Sequence, residues 1–372
     1  MRTLIGIGAT WWFIAAGALF AADAAYTATG AKGNRDGDWV VTTRLFPLIA
    51  GVRMDNNVYR RTAGDPEGDI IQTFGGGVSL SSLFKDTWQM EVDYHFSADL
   101  YQRHGDLNNY RNHLLISLDS RQGPVLGWFR KKYMIRRSPE NNYDYWDDQI
   151  ALGIDWSPRA SWNLDLQGEN TLRRYYDPEP FVRAKDFNDN TVTLTLFRQL
   201  EDGLSLQAGG FLGRREFNRY ATGLDGGGYH VLRETQKDDT YGGQAGMRWF
   251  VASVLNELFF QVQKSSSNNV GSGNHVRSIS WAAGVNPAPT LTFQMMFRLY
   301  HKRYDVDPLT IPEYQLGFND EEGQDLLTAK TVWECTPRLN LGFSFARVRC
   351  ESSIPAKYYI KQVYSLQIQR RF

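Results

Sequence analysis

Apolar and polar residues alternate along most of this chain. From Trp88 to Leu100, one set of positions carries Trp88, Met90, Val92, Tyr94, Phe96, Ala98 and Leu100. The intervening set is Gln89, Glu91, Asp93, His95, Ser97 and Asp99. From Leu291 to Lys302, Leu291, Phe293, Met295, Phe297 and Leu299 alternate with Thr292, Gln294, Met296, Arg298, Tyr300 and Lys302. A period of two sustained over such lengths predicts strands with one face in an apolar medium and the other in water. Shorter runs of the same kind lie at 191–197 and 339–345. Beyond the first residues, no stretch predicts a helix of several turns.

The pattern predicts sixteen strands, starting near residues 39, 69, 87, 108, 124, 146, 160, 190, 203, 240, 254, 275, 290, 323, 338 and 357. Their connections alternate in kind. Lys85-Asp86, Gln122-Gly123, Ser157-Pro158, Glu201-Asp202-Gly203, Val251-Ala252-Ser253, Asn286-Pro287 and Thr336-Pro337 are tight turns. The others are mostly longer and polar, roughly 56–68, 103–107, 137–145, 175–189, 218–239, 265–274, 304–322 and 350–356. Short turns on one side and long loops on the other predict an all-β fold, a transmembrane antiparallel up-and-down β-barrel of about 16 strands. A soluble sandwich or propeller also alternates. Nothing in those folds requires short and long connections to take turns, and their strands are usually about five or six residues.

The N-terminus sets the address. Met1-Arg2-Thr3 is a short positive start, Leu4 to Phe20 is almost entirely apolar, and Ala22-Asp23-Ala24 fits a small-x-small cleavage site. Residues 1–24 thus read as a secretory signal peptide. The rival, a membrane anchor, needs a longer apolar run. Residues 25–38 read as a flexible lead-in, and 39–372 as the barrel. The chain is expected in the outer membrane of a Gram-negative cell, in contact with outer-membrane lipid and lipopolysaccharide. The final alternation, with Tyr364, Leu366, Ile368 and Phe372 on one parity, resembles the C-terminal signal read by the barrel-insertion machinery. Arg370 departs from it, standing where an apolar residue is usual.

Composition removes some alternatives. Lys+Arg and Asp+Glu are equal at 41 each, which argues against a nucleic-acid-binding surface. Cys335 and Cys350 are the only cysteines, and an extended strand would hold them too far apart for a disulfide. The six His show no metal-ligand spacing, so no metal and no cofactor are expected.

Gly51-Val52-Arg53-Met54-Asp55-Asn56-Asn57-Val58-Tyr59-Arg60, then Gly68-Asp69-Ile70-Ile71 and Gly75-Gly76-Gly77, carry a family resemblance. Together they resemble the start of the outer-membrane β-barrel porin type 2 group and of barrels encoded with exopolysaccharide secretion systems. The resemblance covers about residues 50–120. It implies a pore or export conduit rather than an enzyme, with periplasmic polysaccharide-export components as partners.

In a barrel of this size the lumen is the place for function. By parity, Glu91, Asp93, Asp99, Asp119, Asp165 and Glu169 form an inward acidic set. Arg130, Lys132, Arg298, Lys302, Lys330 and Lys361 form a basic one. One reading is a lumen with acidic and basic walls and a transverse field; the other is dispersed, solvated charge. Gly75, Gly77 and Ser79 also face inward, either leaving room for a polymer or easing sheet curvature. His95, His113, Ser97 and Ser117 make the best Ser/His cluster, but no orienting third group stands out, and no catalytic residue is expected. The Gly-rich run 223–228 reads as a mobile loop tip. The leading function is a channel passing polar solutes. A barrel sheathing a secretion or electron-transfer partner and a lumenal hydrolase remain as alternatives.

Overall fold

The structure is a computed structural model describing residues 39–58, 67–84, 87–137, 144–177, 183–201, 203–225, 228–305, 324–350 and 359–370. Among these, sixteen strands pair antiparallel with their chain neighbours, and the first pairs with the last to close a barrel. They are β1 (Trp39–Asp55), β2 (Asp69–Phe84), β3 (Trp88–Tyr101), β4 (Asn109–Gln122), β5 (Val125–Arg137), β6 (Tyr145–Arg159), β7 (Trp162–Tyr175) and β8 (Phe187–Glu201). The second half comprises β9 (Leu204–Asp225), β10 (Gly228–Val251), β11 (Val254–Ser267), β12 (Asn274–Ala288), β13 (Leu291–Tyr304), β14 (Asp325–Thr336), β15 (Leu339–Cys350) and β16 (Tyr359–Arg370). The shortest have 12 residues, more than the roughly 9–11 that a tilted strand needs to cross a bilayer. The signal-peptide and lead-in segments and Phe372 lie outside the described residues.

Period-two geometry sorts the side chains. On β3, Trp88, Met90, Tyr94 and Phe96 are exposed, as are Leu152, Ile154 and Trp156 on β6 and Leu341's register partner Ile368 with Leu366 and Tyr364 on β16. Directly paired residues share a face, so the register carries this outer face around the ring: Leu80–Val92–Ile116 on β2–β4, then Leu166–Leu194–Gly210 on β7–β9. So much exposed apolar area would be an aggregation hazard in water; a bilayer solvates it. The opposite face holds the charged and small polar residues. The fold is therefore a transmembrane-type up-and-down barrel, with tight turns at one end (the turn end) and the other connections at the opposite, loop end.

Two local departures have physical causes. The β1–β2 register shifts between Phe46 and Ile49. Pro47 falls in this interval and has no N–H to give the ladder, so the strand bulges there. The second departure corrects the expected long loop over 218–239. Here β9 and β10 continue as a paired hairpin to Asp225 and Gly228, well past β8, whose register with β9 stops at Phe217. Polar residues such as Asn218, Glu234 and Lys237 disguise the strands, because a hairpin rising beyond the apolar band has no lipid face to alternate against. Gly223 is accordingly in a strand rather than at a loop tip.

Candidate functional site: the lumen

The register places all twelve charged positions of the two candidate sets opposite the exposed apolar parity. Their neighbours divide them. Asp99 (β3) faces Arg111 (β4) at 3.4 Å and Arg53 (β1) at 3.5 Å. Asp119 (β4) pairs with Arg130 (β5) through both carboxylate oxygens. Lys361 (β16) pairs with Asp55 (β1) at 2.5 Å. Two further inward pairs, Arg173–Asp147 at 2.7 Å and Arg215–Asp189 at 2.6 Å, sit on β6–β9 near the loop end. Much of the lumenal charge is thus neutralised between adjacent strands, where opposite charges attract across one register step.

Other carboxylates have no cationic partner among these contacts. Glu91 accepts from the Ser79 hydroxyl at 3.0 Å. Asp93 is buried, and its Oδ1 has no hydrogen-bond partner among the described residues. Glu169 accepts from Gln149 at 2.7 Å and Thr171 at 3.1 Å. Asp165 stands directly opposite Asp155, so two carboxylates adjoin on β6–β7 near the turn end. Across the ring, Lys330 on β14 is exposed, and Arg298 on β13 stacks over Tyr300 at 5.7 Å. Lys302 on β13 lies over Tyr304 at 4.6 Å, and Lys132 on β5 takes its place beside Leu115 and Gln149. β6 and β14 are eight strands apart in either direction around the ring. The Asp155–Asp165 pair and Lys330 therefore occupy opposing walls.

Near the loop end, guanidinium groups stack on inward aromatic rings from β5 to β9. Arg136 and Arg173 lie over Tyr145 at 5.8 and 4.3 Å, and Arg215 lies over Phe187 at 4.6 Å. Sequence alternation alone does not reveal this layer, because it needs the register between strands.

The Ser/His cluster does not assemble into a nucleophile and base. His95 faces His113 across β3–β4, Ser97 faces Arg111 and Ser117 faces Glu91. Neither serine hydrogen-bonds either histidine among the described residues. His95 instead packs on Phe46, with ring centroids 3.9 Å apart. Gly77 lies between those two in the register and makes the contact possible: a Cβ there would fall 2.1 Å from Tyr94 O. Gly75 and Gly77 are thus a close approach of strands beside the Pro47 bulge. Among the described residues, no cluster of three His, Cys, Asp or Glu side chains could hold a metal ion. Cys335 lies near the turn end of β14, while Cys350 is buried at the loop end of β15, and no disulfide joins them.

The Asp55-Asn56-Asn57 run, which carries the family resemblance, meets β16. Asn56 N–H donates to Gln362 O at 3.1 Å and its side-chain oxygen accepts from Gln362 N–H at 2.6 Å. Asn57 Nδ2 donates to Ile360 O at 3.3 Å. Together these bonds latch the seam of the barrel at its loop end.

The loop L8 deletion mutant of OmpT, an outer membrane protein of Vibrio cholerae, superposes with a TM-score of 0.51 at 8% identity, covering 90% of this chain and 100% of that one. The in-vitro folded trimer form of the same OmpT gives 0.51 at 8% identity, covering 89% and 99%. The outer membrane protein OprD from Pseudomonas aeruginosa gives 0.50 at 10%, covering 89% and 94%. The likeness is one of fold, over nearly the whole of each barrel. No protein-family model matches the chain, and comparison with curated proteins finds no match.

Proposed function

We propose that this chain is an outer-membrane channel through which polar solutes diffuse. The observation that carries the reading is the closed ring itself. Its exposed outer face is apolar, while its inner face presents Glu91, Asp93, Asp155, Asp165, Arg298 and Lys330. A ring of sixteen strands leaves an aqueous passage, and charges on its walls bias which ions enter. The turn end faces the periplasm and the loop end the cell exterior. Passage makes and breaks no covalent bond. A narrower version, the exit of an exopolysaccharide export system, draws on the family resemblance over residues 50–120.

Purified protein in a planar bilayer tests the proposal. Stepwise conductance from the protein alone is expected. A barrel that inserts but stays electrically silent would overturn the channel reading and favour a sheath that closes without its partner. Reduced conductance in the presence of an anionic polysaccharide, added from the periplasmic side, is the outcome expected of the export version.

A further inference from the structure

The outer surface carries a charge imbalance that the lumen does not explain. At the loop-end margin of the apolar band, β5–β10 neutralise their outward polar groups locally. Lys131 pairs with Asp148 at 2.9 Å, and Arg214 with Asp239 at 2.6 Å. Lys237 lies 3.9 Å from Glu216, and Asn170 donates to both Asn188 and Asn190.

On β11–β13 the same margin is different. Phe260, Ile279 and Leu299 form an apolar row in register. The next row towards the loop end is Val262, Arg277 and His301, and the one beyond it Lys264, His275 and Arg303. Five basic side chains thus adjoin on one outward patch. His275 meets Asp305 at 3.2 Å. Lys264, Arg277, His301 and Arg303 form no ion pair with any described residue.

A groove leads into this patch. It crosses the outer face from β8 to β12, with Gly210 and Gly243, paired in register, as its floor. Leu212, Tyr241 and Val262 line it, and Lys264, His275 and Arg277 close one end. The groove is therefore apolar along its length and cationic at the end nearest the loop-end margin. That is the polarity of a phospholipid or phosphoglycolipid, with acyl chain below and phosphate above.

We propose that this groove and the Lys264–Arg277–Arg303 patch seat a phosphate-bearing lipid of the outer leaflet, with an acyl chain over Gly210 and Gly243 and a headgroup phosphate on the cations. The occupant is a membrane lipid rather than free phosphate, because the cations continue an apolar groove. Arginine suits the role through its fork of donors, which matches phosphate oxygens. The inference rests on the outer-membrane placement proposed above but not on conduction.

The test uses full-length mature barrel in detergent, titrated with bis-phosphorylated lipid A and, separately, with the phosphate-free glycolipid, bound lipid being counted by native mass spectrometry. Wild-type protein is expected to prefer the phosphorylated lipid. R277Q/R303Q is expected to weaken its binding about tenfold to thirtyfold, from two surface cations lost. R214Q/D239N removes a neutral pair at the same margin and is expected to leave binding unchanged. G243L fills the floor of the groove and is expected to weaken binding without altering charge; a Cβ there meets nothing closer than 3.6 Å, so the barrel has room for it.

Equal retention of both lipids by the wild-type protein would overturn the proposal, and that result needs no variant to fold. So would identical lipid A binding by folded R277Q/R303Q. Conductance measured on the same preparations separates the two readings: a conducting barrel without lipid preference sinks this inference alone, and a silent one with the preference sinks the channel alone.

Discussion

Lys361 Nζ lies 2.5 Å from Asp55 Oδ2 across the seam where the first and last strands meet. The Asp55 carboxylate is buried and also accepts the Asn57 N–H at 3.0 Å. Among the described residues β1 meets β16 over Leu48–Asp55, and this pair stands at the loop end of that zipper. Removing one partner from a buried ion pair strands the other charge, at a cost of about 3 kcal/mol. K361M should therefore lower the temperature at which heat converts the folded band to the unfolded one on an SDS gel. D55N/K361M, which removes both charges, should recover part of the loss. If K361M melts like wild type, the latch contributes nothing.

Gly77 yields a sharper steric prediction. A methyl group there would overlap the Tyr94 carbonyl, which belongs to the neighbouring strand and cannot rotate away. G77A is expected to cost about 1–3 kcal/mol through forced backbone displacement, read as a lower refolding yield into detergent. G168A is the control, because nothing lies within 4 Å of a Cβ at that outward position. G75A should fall between them, its nearest neighbour being Phe96 O at 3.2 Å.

Much of the barrel can be read directly from the chain, and the reason is the solvent pair. Wherever lipid wets one face and water the other, as from Trp88 to Leu100, side-chain polarity reports orientation residue by residue. The same logic places Glu91 and Lys330 on the inner face from parity alone. It fails where both faces meet water. The β9–β10 extension carries Glu234, Gln236 and Lys237 with exposed Tyr220 and Val231, and looks like a loop. Pairing across strands is also invisible to parity. That Asp119 is neutralised by Arg130 while Asp165 faces Asp155 depends on register, which a single-strand pattern does not encode. The seam role of Asp55-Asn56-Asn57 escapes for the same reason: its partners lie some three hundred residues away at the other end of the chain.

The base of that extended hairpin should respond to pH. Gln236 is buried, accepts from Arg219 Nε at 2.7 Å and donates to Asp238 Oδ1 at 3.0 Å, while the Ser267 hydroxyl donates to Asp238 at 2.5 Å. Burial pushes the Asp238 carboxyl above its ordinary range, outweighing the donors that favour the anion. The folded hairpin therefore holds this proton more tightly than the unfolded chain does. Its contribution to stability rises as pH falls through the raised value and is lost as pH rises above it. Hydrogen exchange, corrected for intrinsic rates, should show amides at the hairpin base becoming more protected as a neutral buffer is acidified into the carboxylate range. D238N should flatten that dependence.

Ion selectivity follows from which lumenal charges lack a counter-charge. Asp119 and Arg130 bond each other, so D119N/R130Q removes no net charge and should leave the reversal potential in a salt gradient where it was. Asp155 and Asp165 adjoin without an intervening cation in the register. Their field reaches into the water and attracts cations, least screened at low salt. D155N/D165N should therefore move the reversal potential towards anions, and K330Q, on the opposing wall, should move it towards cations. Both shifts should shrink as ionic strength rises. Equal and unchanged potentials for D155N/D165N and K330Q would mean that these charges lie outside the conducting path, and the picture of opposing walls would fall with them.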